Sequence, residues 1–163
     1  MDIAIREARP DDAAAVVAIL NPVIETGKYT VLDGPFSVEE ERRFISSFPP
    51  RGIFHLAESR PDGRVVGLQT MEPFAAYTHA FDHVGIIATY VDLGCRRQGI
   101  GRQLFEATFA AARQKGYEKI FIPIRNQISA GCSSVYWTIA EVSGDGWIQT
   151  DNRRDPFLAG VAS

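Results

Sequence analysis

The stretch Val91-Asp92-Leu93-Gly94-Cys95-Arg96-Arg97-Gln98-Gly99-Ile100-Gly101 constrains this chain more than any other. Before it, Gly85 to Val91 is a β-branched, apolar run of strand length. After it, Gly101 to Lys115 has helical patterning. Ile100, Leu104, Phe105, Thr108, Phe109 and Ala112 fall on one stripe, with Arg102, Glu106 and Arg113 elsewhere. Strand, tight glycine loop and helix therefore follow one another. At such a junction the free N–H groups of the first helical turn, and the helix dipole, point at whatever lies in front of the helix. Gly99 and Gly101 permit close approach to the backbone, and Arg96, Arg97 and Arg102 supply positive charge. The stretch reads as an anion cradle suited to the pyrophosphate of a cofactor.

The elements around it are legible in outline. Ile3 to Arg6 alternates like a short strand, and Arg9-Pro10-Asp11-Asp12 is helix-start chemistry before the apolar run Ala13 to Leu20. Asn21-Pro22 is expected to interrupt that helix, leaving Val23 to Pro35 irregular. Ser37-Val38-Glu39-Glu40 is a capping box and predicts a helix to about Ser47. Ile53 to Glu58 and Arg64 to Met71 flank Pro61-Asp62-Gly63 and should pair as an antiparallel hairpin. His83 to Val91 is apolar on both faces, which suits a central strand. Gly116 should close the long helix, and Lys119 to Ile124 should form the next strand.

With 163 residues the chain suits a single domain, 1–163, with its own core. A net charge of -3 argues against a non-specific nucleic-acid binder. No apolar run approaches the roughly 20 residues that span a bilayer, and the N-terminus has no signal-peptide pattern. Cys95 and Cys132 read as two free thiols, so a cytoplasmic location is expected. His55, His79 and His83 have no metal-ligand spacing, and no metal is expected.

The loop lacks the Gly-Lys-Ser/Thr of a P-loop and the full GxGxxG of a dinucleotide fold. Its pattern is Arg96-x-x-Gly99-x-Gly101, and here the chain resembles the GNAT superfamily of acyl-CoA-dependent N-acetyltransferases. Ile5-Arg6-x-Ala8-x-x-x-Asp12 is similar to that family's opening, and the resemblance runs from about Ile3 to Asn126. It implies an α/β (α+β) fold whose mixed, mostly antiparallel sheet splays between its fourth and fifth strands, flanked by about four helices. It also implies acetyl-CoA as co-substrate. The pyrophosphate would lie on Arg96, Arg97, Gln98, Gly99, Ile100 and Gly101. The pantetheine arm would follow the main chain of Thr89, Tyr90 and Val91, with Asn126 near the thioester.

A narrower resemblance, to the phosphinothricin acetyltransferase-like branch, lies in Asn21 to Thr26, Tyr29-Thr30 and Ala76-Tyr77. It implies transfer to a primary amine of an amino-acid-like small molecule, with Glu25, Tyr29 and Tyr77 at the acceptor. That branch places a basic glutamate on the fourth strand, where this chain has Ile86. A base is still required, because an ammonium must lose a proton before its nitrogen can attack. Glu25, Glu72, His79, Asp82 and His83 are the candidates, with His83 favoured by its place at the start of the fourth strand and by its titration near neutrality. The general acid implied is a tyrosine on a helix after Asn126, which leaves Tyr136.

Beyond Asn126 the chain departs from the family pattern. Only Trp147-Ile148 is similar to its closing segment, and Asn152 to Pro156 reads as loop. The acceptor site is then either open or completed by a second subunit, making a homodimer one expected assembly. A non-catalytic acyl-CoA-binding sensor is the alternative to the enzyme.

Overall fold

The computed structural model describes the backbone of residues 1–129, 132–141 and 148–150, and the side-chain surroundings through residue 123. Seven strands form one sheet in chain order: β1 (Ile3–Glu7), β2 (Ile53–Ser59), β3 (Val65–Pro73), β4 (Val84–Val91), β5 (Lys119–Ser129), β6 (Cys132–Glu141) and β7 (Ile148–Thr150). All neighbours are antiparallel except β4 and β5. Three α-helices lie among the described residues: α1 (Ala13–Glu25), α2 (Val38–Ser46) and α3 (Ile100–Gln114). The apolar strand at Gly85 to Val91 is central, as its lack of a polar face requires.

The sheet carries a core on each face. Val16, Leu20 and Ile24 of α1 and Ile45 of α2 pack over Phe54, Leu56 and Leu68. On the other face Ile100, Leu104, Phe109 and Ala112 of α3 cover Ala57, Val66, Met71 and Ile87. The stripe read in the α3 sequence is the buried one. Gly116, at φ +79°, terminates the helix.

Two local details show where tertiary packing decides. Pro22 does not end α1, which continues to Glu25. An interior proline costs about 3 kcal/mol. Val23 and Ile24, only 2% and 7% exposed, lie beyond it. Burying two such side chains returns about 3–6 kcal/mol. Asn21 fastens the same turn, since its side-chain amide donates to the Phe36 carbonyl and accepts from the Phe36 N–H, both at 2.9 Å. α2 starts as expected, with the Ser37 hydroxyl accepting from Glu40 N–H and the Glu40 carboxylate accepting from Ser37 N–H.

The Arg6/Asp12 motif is a clamp between β1 and the start of α1. The Arg6 guanidinium donates to both Asp12 oxygens at 2.8 Å and to Glu58 of β2 at 2.6 Å. Arg6 therefore holds the Asp12 carboxyl below its ordinary pKa. A depressed carboxylate pKa stabilises the fold above the unfolded value, about 3.9, and that stabilisation disappears on acidification. Asp12→Asn should lower the unfolding free energy by about 1 kcal/mol at pH 7, a modest value because Arg6 is partly exposed. Denaturant titrations should show the difference from the parent shrinking below about pH 4. A difference independent of pH would refute the clamp.

Candidate active site

The loop between β4 and α3 is held from beneath. The Asp92 carboxylate accepts from Gly94 N–H at 2.8 Å, and the Asp92 N–H donates to the Val66 carbonyl at 3.0 Å. Cys95, a free and buried thiol, packs with Ile100 and Leu104 in the core and receives the Arg64 guanidinium at 3.2 Å. Ile100 is likewise a core anchor, 2% exposed, so only its backbone is offered to a ligand. Arg97 and Gly99 adopt left-handed φ angles of +63° and +78°. Such reversals turn successive N–H groups toward one concavity, the geometry of an anion nest.

A cavity of about 400 Å³ lies in front of this nest, lined by Thr89, Val91, Cys95, Arg96, Arg97, Gly99, Ile100 and Gly101. A Cβ on Gly99 or Gly101 would meet no other atom within 4 Å, so the space over both glycines is open. Backbone N–H groups at a helix start, two arginines and an open floor suit a pyrophosphate.

β4 and β5 pair only through Val84–Lys119, Gly85–Ile120 and Ile86–Phe121. Beyond that they part. The gap is a second cavity, of about 160 Å³, between Ile87–Tyr90 of β4 and Ile122–Pro123 of β5, roofed by Tyr29, Thr30 and Val31. Pro123 has no N–H to offer a neighbouring strand, which suits an unpaired edge. Thr89 borders both this gap and the anion cavity.

Sequence reading did not anticipate how the segment after α1 docks here. The Tyr29 ring lies 4.3 Å beneath the Arg96 guanidinium, and the Thr30 hydroxyl is 3.2 Å from the Tyr90 hydroxyl. Nor did it single out Gln69, fully buried behind the gap, whose Nε2 donates to the Thr89 hydroxyl at 2.6 Å and whose Oε1 has no partner among the described residues.

A third cavity, of about 450 Å³, opens between α1, α2 and the sheet. It shares Ala88 and Tyr90 with the gap. Its carboxyl groups are Glu40, Glu41 and Glu72. Burial raises the pKa of both Glu41 and Glu72. Glu41 carries a signal that sequence reading left unused: Val38, Glu41, Ile45 and Phe48 share helical spacing, so a carboxylate sits on an otherwise apolar stripe.

The model of the acetyltransferase (GNAT) family matches residues 23–136. The chain belongs to this family.

A solved GNAT-family acetyltransferase from Streptococcus pneumoniae is 26% identical, covering 79% of this chain and 78% of that one, with a TM-score of 0.67. An N-acetyltransferase from Staphylococcus aureus Mu50 is 25% identical over 80% and 78%, at 0.68. The GNAT-superfamily phosphinothricin acetyltransferase from Sinorhizobium meliloti, solved in complex with AcCoA, is 20% identical over 76% and 66%, at 0.69, and shares the fold. No curated protein matches the chain significantly.

In this GNAT acetyltransferase, the expected cofactor residues Thr89, Val91, Arg96, Arg97, Gly99, Ile100 and Gly101 line one cavity, and Tyr90 lines the adjoining gap. Gln98 lies in the same loop and is exposed. Asn126 stands in β5 opposite Ser134, with its side chain outside the described residues. Tyr136 requires a correction. It was expected on a helix after β5, but the next described element is the antiparallel strand β6, where Tyr136 stands opposite Ile124. Its side chain also lies outside the described residues, as does the stretch Asn152 to Pro156.

The candidate bases are scattered. His83 precedes β4 at its paired end, where its carbonyl accepts from Glu118 and Lys119 N–H groups. The structure does not bring it to the gap. His79 is fully exposed and 3.1 Å from Asp82. Glu25 is exposed at the end of α1, and Tyr77 is 87% exposed. Among the cavities formed by the described residues, Glu72 is the one candidate that lines a cavity adjoining the gap. Tyr29 roofs the gap itself.

The open floor gives a test. Gly101 is the second residue of α3, so Gly101→Ala should leave stability unchanged or raise it by up to about 1 kcal/mol through helix propensity. Acetyl-CoA affinity, measured by calorimetry, should fall at least tenfold as the methyl occupies the anion floor. Unchanged affinity would mean the phosphates lie elsewhere.

Proposed function

We propose that this acetyltransferase moves the acetyl group of acetyl-CoA to a primary amine of a small molecule by direct attack. The observation that carries the reading is the series of three cavities along β4, joined first at Thr89 and then at Ala88 and Tyr90. One end is cationic, the middle is a slot between strands, and the far end is apolar with carboxyl groups. Bound acetyl-CoA supplies an activated thioester. The N–H groups and arginines of residues 96–101 hold its pyrophosphate. The unpaired edge of β4 at Thr89 to Val91 offers main-chain partners to the pantetheine arm, and residues 29–31 exclude water over the gap.

The acceptor nitrogen enters from the third cavity and must shed a proton there before it can attack. The carboxyl groups of that cavity can take it, so Ile86 in the expected base position does not require a non-catalytic sensor. The resemblance to the phosphinothricin branch makes an amino-acid-like acceptor the first candidate to try. Such a molecule brings its own carboxylate, which needs a cation or several donors when buried.

Thermal unfolding with acetyl-CoA at about 100 times its dissociation constant should show roughly 2.7 kcal/mol of added stability. Release of CoA thiol should then depend on an added primary amine. Binding without thiol release for any amine would favour the sensor. No thermal shift would refute acetyl-CoA binding altogether.

A further inference from the structure

The third cavity is more selective than a generic amine site. Leu32, Phe36, Phe44, Phe54 and Leu68 form its walls. Its described lining holds no lysine, arginine or histidine, but it holds Glu41, 4% exposed, and the half-buried Glu72. Burial pushes both carboxyls toward the neutral form, and no side-chain donor among the described residues holds either in the charged form. An ammonium group satisfies both. A ligand carboxylate would be buried beside two carboxyl groups with no cation among the described lining residues to receive it, which is strongly unfavourable.

Register places Glu72 within this cavity. Glu72 of β3 pairs directly with Ile86 of β4, and Ile86 is the last β4 residue paired with β5. Strand alternation puts Leu68, Thr70 and Glu72 on the face shared by Ile86, Ala88 and Tyr90. Directly opposed residues have Cβ atoms about 5 Å apart. A carboxylate at Glu72 thus starts one strand away from the fork where the thioester would lie, beside the place where the resemblance expects a glutamate on β4.

We infer that the acceptor is an apolar primary amine lacking a carboxylate, and that Glu72 is the catalytic base that deprotonates it. This rests on the acetyl-transfer reading of the same site. One ammonium proton passes to the Glu72 carboxylate and from there to solvent. The freed nitrogen lone pair forms the C–N bond at the thioester carbon while the C–S bond breaks. A second nitrogen proton goes to the departing sulfur, and the third remains on the product amide. Glu41, deeper under α2, provides the charge that holds the ammonium.

The test is a matched panel: 2-phenylethylamine against phenylalanine and isopentylamine against leucine, each pair differing only by the α-carboxylate. The carboxylate-free member should have the higher kcat/KM by at least 100-fold. Glu72→Gln should lower kcat at least 100-fold, while its melting temperature and acetyl-CoA thermal shift match the parent. Calorimetry without acetyl-CoA should show 2-phenylethylamine binding the parent, weakened at least tenfold by Glu41→Gln. Equal or better use of the amino acids, acetylation of lysine peptides in place of small amines, or full activity in Glu72→Gln would overturn the inference and leave the acetyltransferase reading standing. Absence of thiol release with any amine, despite acetyl-CoA binding, would overturn both.

Discussion

The pairing of β4 with β5 ends after Ile86–Phe121, and the rest of the site depends on that parting. Two strands that separate inside a sheet leave main-chain donors and acceptors without partners, and such groups are costly unless something supplies them. Here a slot remains, with Ile87 to Tyr90 on one wall and Ile122 and Pro123 on the other. A linear ligand that brings its own amide groups is the natural occupant. The same parting gives β4 a face toward each of the three cavities, so one strand aligns the anion nest, the slot and the apolar chamber under α2.

The site is electrically polarised along that line. Arg96, Arg97 and the start of α3 make one end attractive to phosphate. The other end holds Glu41 and Glu72, whose burial favours the neutral form. Between the two ends the Tyr29 ring lies against the Arg96 guanidinium and the Thr30 hydroxyl against that of Tyr90.

Legibility in the sequence followed the range of the interaction. The α2 start was readable because its capping box closes within four residues, and the α3 face because its period is local. The extent of α1 was not, because the burial of Val23 and Ile24 that carries the helix past Pro22 depends on the sheet beneath. The anion loop was readable because glycine spacing, arginines and a helix start lie within eleven residues. His83 looked suitable by counting along one strand, and that count could not show that β4 and β5 are still paired there. Tyr136 was assigned to a helix by resemblance alone, in the region where the chain departs from the family, and the backbone there is a strand.

The sequence by itself determined the strand–loop–helix unit, the central apolar strand, the hairpin of β2 and β3 and the glycine- and arginine-rich composition of the loop before α3. These follow from local periodicity, capping and backbone freedom. Only the tertiary structure decided which residues face one another across strands and layers. Glu72 stands opposite Ile86, Glu41 lies under α2 at the edge of an apolar chamber, and Tyr29 sits beneath Arg96. Register and layer packing are set by the burial of both sheet faces together, and no single segment of the chain carries that information.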